Sequence, residues 1–346
     1  MEERPKWEQF EELVGKILSG VGYELDARVQ GRRGDQGYDF DARFQGRRYA
    51  IEVKHYRSTV AKLSLIESAA ARVDRLELRE QEIKGILVVS CFVPSHQFAS
   101  LGIGAVELID RYQLLRLAIA SAPRLADELM TLLEMRQDDL TREFGYWNFV
   151  VEPPVDPNGD KQRPPPEIDT QGTDLCLELR EFKPGRENWK KFEDLCERIL
   201  RYLFANELQG WHKQKRTEDG FSRYDFVCRI QHDGGFWAFL QDHLRSRYVV
   251  FEFKNYRAKI KQGQILTTEK YLLERGLRTV AIIISRKGAD PGAQAIVQGA
   301  MREAGKLMLV LDDEQICEML HLKEGGSDPA DRLFELADDF LLRLPR

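Results

Sequence analysis

The sequence lacks any apolar run approaching the roughly 18 residues that a membrane span requires. Its first stretch, "MEERPKWEQF", is charged where a secretory signal would need an apolar centre. The expectation is a soluble cytoplasmic protein without a membrane partner. Cysteine is sparse: five residues, Cys91, Cys176, Cys196, Cys228 and Cys317, none in CxxC spacing and most inside apolar runs such as "VVSCF" and "DLCERIL". They read as buried free thiols, which suits a reducing compartment and argues against zinc. No charge of one sign dominates either. Lys and Arg number 52 against 57 Asp and Glu, a net charge of -5, so a nucleic-acid partner must be argued from local charge. There is no P-loop, no GxGxxG opening a helix after a strand and no nucleophile elbow; "LGIGAVEL" is a lead-in to a strand.

What is present is length, a large apolar fraction and repetition. With 346 residues, 42% of them hydrophobic, the chain can hold about two domains. The segment "EPPVDPNGDKQRPPPEIDTQG" carries six of the 13 prolines and almost no large apolar residue, so it reads as an extended linker. It divides a first domain, 1–150, from a second, 174–346, with the linker at 151–173.

The halves repeat one plan. Each opens on an amphipathic helix, "WEQFEELVGKIL" from Trp7 and "WKKFEDLCERIL" from Trp189, with Trp, Phe, Leu and Ile expected on one buried face. Each runs through alternating strands to an E-x-K strand, then a helix, a buried strand ("GILVVS", "VAIIIS") and a strand ending in acid ("VELID", "LMLVLD"). Short strands joined by long helical crossovers imply an α/β fold, a mixed central sheet flanked by helices. Helices over 111–144 and 330–344 are expected additions to this core. The second half also inserts "QHDGGFWAFLQDHL", readable as a loop over a site or as an extended hairpin.

Chemistry concentrates in "YDFDARFQGRRYAIEVKHYR". Side chains alternate along a strand, so Glu52 and Lys54 share one face while Ile51 and Val53 take the other. If the strands pair through "QGRR", Asp39 stands beside Glu52 and Lys54. Alone, E-x-K on a strand is a solvated charged face. Two carboxylates converging on buried strands repel unless a cation joins them, and hard oxygen ligands with open water positions suit Mg²⁺ or Mn²⁺. A lysine beside them can polarise water or neutralise a phosphate, which is the equipment for phosphodiester hydrolysis. The echo in the second half, "RYDFVCRI" and "RYVVFEFKNYR", argues against the bland reading. Asp41 reads as an exposed neighbour of Asp39, and His55 as a packing or solvent-facing residue.

These residues resemble the PD-(D/E)XK, or restriction-endonuclease-like, superfamily, and within it the Mrr-like restriction endonucleases. The matching stretches are "FEELVGKIL" with "GYEL", "GDQGYDF", "YAIEVKHY" and "LIDRYQLL". The resemblance implies αβββαβ cores in tandem, dependence on a divalent metal and DNA as substrate. It makes Asp39, Glu52 and the Val53 carbonyl metal ligands and Lys54 the catalytic lysine, with Glu11 on the first helix completing the site. The second half matches as Asp225, Glu252, the Phe253 carbonyl and Lys254, with Glu193 in the helix position. Glu11 and Glu193 read equally as first-turn acids placed by the helix dipole. The second half departs from the pattern: "GFSRYDF" lacks glycines directly before the acid, and its acids stand 27 apart where the first pair stands 13 apart.

Local charge agrees with a polyanion. Arg28–Lys62 and Trp211–Gln262 each carry a net +5 inside an otherwise acidic chain. The expected function is a metal-dependent DNA endonuclease of restriction or phage defence, able to act with a partner protein or as a homo-oligomer. The competing readings are a repair, junction-resolving or RNA-directed nuclease, and a nucleic-acid-binding module with one or both sites inactive.

Overall fold

The computed structural model describes residues 4–26, 38–60, 62–79, 83–93, 101, 103, 105–121, 123–135, 169–213, 224–231 and 235–345. The chain divides into two compact units, Met1–Ile168 and Asp169–Arg346. The first contains α1 (Lys6–Val21), β1 (Glu24–Asp26), β2 (Phe40–Phe44), β3 (Arg47–Lys54), α2 (Leu63–Arg79), β4 (Ile83–Val89), β5 (Glu107–Ile109), α3 (Arg111–Ser121) and α4 (Pro123–Leu132). The second contains α5 (Gln171–Glu181), α6 (Trp189–Phe204), β6 (Leu208–Lys213), β7 (Phe226–Ile230), α7 (Gly235–Asp242), β8 (Tyr248–Lys254), α8 (Gln262–Glu269), β9 (Val280–Ser285), α9 (Pro291–Ala304), β10 (Leu307–Leu311), α10 (Asp313–Glu324) and α11 (Pro329–Leu342).

Each unit is built on a five-stranded mixed sheet, in spatial order β1-β2-β3-β4-β5 and β6-β7-β8-β9-β10. The first two pairings of each are antiparallel and the last two parallel. The local reasons are legible. Phe10, Leu13, Val14, Ile17 and Leu18 of α1 are buried at helical spacing. The helix stops at Gly22, whose φ of 107° is a left-handed conformation that glycine adopts without a Cβ clash. Between β2 and β3 the turn residues Gln45 and Gly46 both have positive φ, 48° and 76°, which matches the twist of a tight hairpin.

Alternation divides each core in two. Ile51 and Val53 face α1 with Ile86 and Val88, while Leu87 and Val89 face α2 with Leu65, Ile66 and Val73. In the second unit Phe251 and Phe253 pack with α6, and Val250 and Ile283 lie on the other face with Ile265 and Val297.

Several expectations are corrected. Trp7 and Trp189 are 49% and 41% exposed, because each stands at the start of its helix, ahead of the stretch the sheet covers. Cys176 and Cys317 are joined in a disulfide rather than free. They are 141 residues apart in sequence, and only the packing of α5 along α10 brings their Cα atoms to 5.1 Å. Cys91, Cys196 and Cys228 are buried and stand outside any disulfide among the described residues. Residues 171–173, expected in the linker, begin α5. The helix expected over 111–144 is two, α3 and α4, up to Leu132, and its end lies outside the described residues, as does most of the linker. No helix among the described residues is long and apolar enough to cross a membrane.

The insertion in the second unit is α7. It drives Phe236, Trp237 and Leu240 into the core, with Trp237 edge-on to Phe204 at 5.1 Å. It joins the ends of β7 and β8 that lie away from Asp225 and Glu252, so it neither covers those acids nor alters the strand pairing beside them.

Candidate active site

Register assembles the acids and the lysine. Phe40 pairs with Ile51, so Asp39, one residue before β2, falls opposite Glu52. In the second unit Phe226 pairs with Phe251, and Asp225 falls opposite Glu252. The 27-residue spacing therefore gives the same juxtaposition as the 13-residue one, because α7 sits inside the hairpin and leaves its register intact.

Each aspartate is anchored alike. Asp39 Oδ2 accepts from the Val53 N–H at 2.7 Å, and Asp225 Oδ2 accepts from the Phe253 N–H at 2.8 Å. Each lysine reaches back to its glutamate: Lys54 Nζ lies 2.6 Å from Glu52 Oε1, and Lys254 Nζ 2.6 Å from Glu252 Oε2. Glu52 and Glu252 are almost fully buried, 5% and 2% exposed.

Burial and crowding of like charge leave a mark on the acids. Burial, and then the Glu52 carboxylate, push Asp39 up to about 7. Glu252 is also pushed up to about 7, by burial and by Asp225, against the opposing pull of Lys254. Burial would lower both lysines, but the neighbouring carboxylates outweigh it and hold Lys54 and Lys254 above the usual lysine range. Both lysines are thus cations at neutral pH.

The strand exits are pinned by different means. In the first unit the Ser90 hydroxyl accepts from the Tyr56 N–H at 2.6 Å and donates to the Tyr56 carbonyl at 3.0 Å. In the second, Asn255 donates to the carbonyls of Lys183 and Gly185, and buried Arg286 ties Asn255 to Asp313 and to the carbonyls of Leu179 and Phe182.

Glu11 and Glu193 are not first-turn acids. The first-turn acid of α1 is Glu8 and α6 has none, so both glutamates lie a turn further in. Glu11 is half-buried and raised by burial, then by Glu52 and Glu8, so it lies within electrostatic reach of Glu52. Glu193 is buried on α6, which packs on β8. Asp41 is half-buried rather than exposed, held by Arg48 through Nη2 at 2.6 Å and Nε at 3.0 Å. His55 meets Phe10 edge-on at 5.7 Å, and burial followed by Arg57, Lys6 and Arg111 lowers it to about 4, which keeps the ring neutral.

Sequence reading missed two further neighbours. Arg72 on α2 acts on Lys54, and Tyr271 after α8 lies within electrostatic reach of Glu252, Lys254 and Asp225. Their only signal was position on, or just after, the helix that follows each E-x-K strand. The glycine contexts of "GDQGYDF" and "GFSRYDF", and part of each basic window, lie outside the described residues. Within those windows Arg57, Arg257, Lys259 and Lys261 are exposed just after the site strands.

The donor set suits a hard cation. Glu252 Oε1 is buried and accepts no hydrogen bond among the described residues. The first site holds two opposed carboxylates, one of them pushed up towards neutrality. No group of three or more His, Cys, Asp or Glu side chains stands ready to chelate a metal among the described residues. Two carboxylates per site, with a strand carbonyl and water, are residues that could hold a Mg²⁺ or Mn²⁺ ion, a set common for magnesium.

Residues 3–118 match the family model described as restriction endonuclease. No curated protein and no solved structure matches the chain. Residues 3–118 are thus a restriction-endonuclease-like domain, and the second sheet, with the same strand order, is consistent with another.

Proposed function

We propose, from a first domain of the restriction-endonuclease family, that the chain is a divalent-metal-dependent endonuclease that hydrolyses DNA phosphodiesters at two sites. The observation that carries this reading is the recurrence, in both sheets, of one register that sets Asp opposite Glu with a paired Lys two residues on. Asp39, Glu52 and the Val53 carbonyl would hold a Mg²⁺ or Mn²⁺ ion in the first site, and Asp225, Glu252 and the Phe253 carbonyl in the second.

When bound, such an ion supplies Lewis-acid stabilisation of charge developing on the phosphate and lowers the pKa of water. The chain's own residues do the rest. The strand amides of Val53 and Phe253 fix the orientation of the two aspartates. Lys54 and Lys254, released from their glutamates, neutralise phosphate charge or orient the attacking water. Exposed Arg57, Arg257, Lys259 and Lys261 attract the DNA backbone, with the salt dependence that phosphate contacts bring. One site per strand gives a single chain the means to cut a duplex. The family match of residues 3–118 supports a role in restriction or phage defence, on which the geometry does not bear.

The test is cleavage of a plasmid and of a linear duplex with Mg²⁺, Mn²⁺ or chelator. The parent chain should cut only with metal, Asp39→Ala and Asp225→Ala should each leave nicking of one strand, and the double variant should not cut. Cleavage by the double variant, or by the parent in chelator, would refute the proposal. Single-stranded DNA, four-way junctions and RNA in the same assay separate this reading from a repair or RNA-directed nuclease.

A further inference from the structure

Tyr271 lies just past the end of α8, its N–H bonded to the Thr268 carbonyl at 3.0 Å. Its ring meets that of Tyr224 edge-on with centroids 5.0 Å apart, and Tyr224 is the residue before Asp225. Arg278 closes the group. Its Nε donates to the Tyr271 carbonyl at 2.9 Å, and its guanidinium lies 5.2 Å from the Tyr224 ring centroid. Ring and backbone are thus both held against the residue that leads into Asp225, within electrostatic reach of Glu252 and Lys254. Tyr224 is buried, whereas Tyr271 remains partly open to solvent.

We infer that Tyr271 is a substrate-binding residue of the second site, its phenolic O–H donating to a non-bridging oxygen of a phosphodiester held beside Asp225, Glu252 and Lys254; this rests on the nuclease reading above. A phosphate arriving here meets two carboxylates and a lysine already paired with one of them, so an additional donor helps it stay. A phenol provides that donor without further charge. In the first unit the helix after the E-x-K strand presents Arg72 to Lys54 instead. The two sites therefore differ in how they hold a phosphate: the first has a second cation nearby, the second a neutral hydroxyl.

The test places Tyr271→Phe in the Asp39→Ala chain, where only the second site can cut. Phenylalanine keeps the ring contact with Tyr224 and removes only the hydroxyl. The measurements are the rate of Mg²⁺-dependent cleavage, the affinity for a fluorescent duplex in chelator, and the melting temperature. Loss of a hydrogen bond to a charged phosphate should slow cleavage and weaken binding by roughly ten- to a hundredfold at unchanged melting temperature. Equal rate and equal affinity would overturn the assignment, as would a loss explained by a lowered melting temperature. If the Asp39→Ala chain does not cut while the parent does, binding alone decides. If the parent neither cuts nor binds the duplex, it is the nuclease reading that has failed.

Discussion

At the scale of single residues, the pairs Asp39–Glu52 and Asp225–Glu252 each set two carboxylates against one another on a buried surface. A carboxyl raised in the folded state stabilises the fold below its unfolded pKa, and that contribution is lost as pH rises through the folded value. For Asp39, pushed up to about 7 from an ordinary 3.8, the loss falls between about pH 4 and 7. Asp39→Asn should therefore raise the melting temperature of the metal-free protein at pH 8, by on the order of 1–3 kcal/mol in stability, with the gain vanishing near pH 4. Melting curves across that range check it, and a gain independent of pH would contradict it. Tyr271 and Arg72 show what sequence cannot rank at this scale. Both are ordinary helix-side residues until the crossover swings them over the site face.

At the scale of elements, the hairpins that bear the acids were legible because alternation and turn chemistry agree. "QGRR" supplies the two positive-φ residues, and the E-x-K strand alternates without interruption. The second hairpin was harder to read, since its 27-residue spacing departs from the pattern. The inserted α7 removes the difficulty by anchoring itself in the core through Trp237, which is fully buried. Trp237→Ala should cost about 3–5 kcal/mol, the usual range for a truncated buried aromatic. Its ring partners are Phe204 and Phe236, and α7 joins the strand ends that lie away from Asp225 and Glu252. Second-site cleavage by the variant should thus persist at temperatures where it stays folded, which activity assays below the shifted melting point would reveal. The same elements explain the misreading of Trp7 and Trp189. Helical periodicity identifies a buried stripe, but the sheet does not extend to cover its first turn.

At the scale of the whole molecule, the chain holds two units with separate cores, each with its own set of acids and lysine. Cys176–Cys317 lies within the second unit, where it closes a loop of 141 residues between α5 and α10. Reductant, or Cys176→Ser, should therefore lower the stability of the second unit by about 2–4 kcal/mol and leave the first unchanged. Calorimetry with and without reductant tests this: a shift in both transitions would show that the units do not unfold separately.

The sequence by itself determined the two-part plan and the alternation that puts each Glu and Lys on one face. These are properties of neighbours along the chain, set by strand and helix periods that hold wherever the element forms. Only the tertiary structure decided that Cys176 meets Cys317, that α7 leaves the second register intact, and that Arg72 and Tyr271 come within electrostatic reach of Lys54 and of Glu252. Each of those depends on how segments distant in sequence pack together, which side-chain periodicity does not encode.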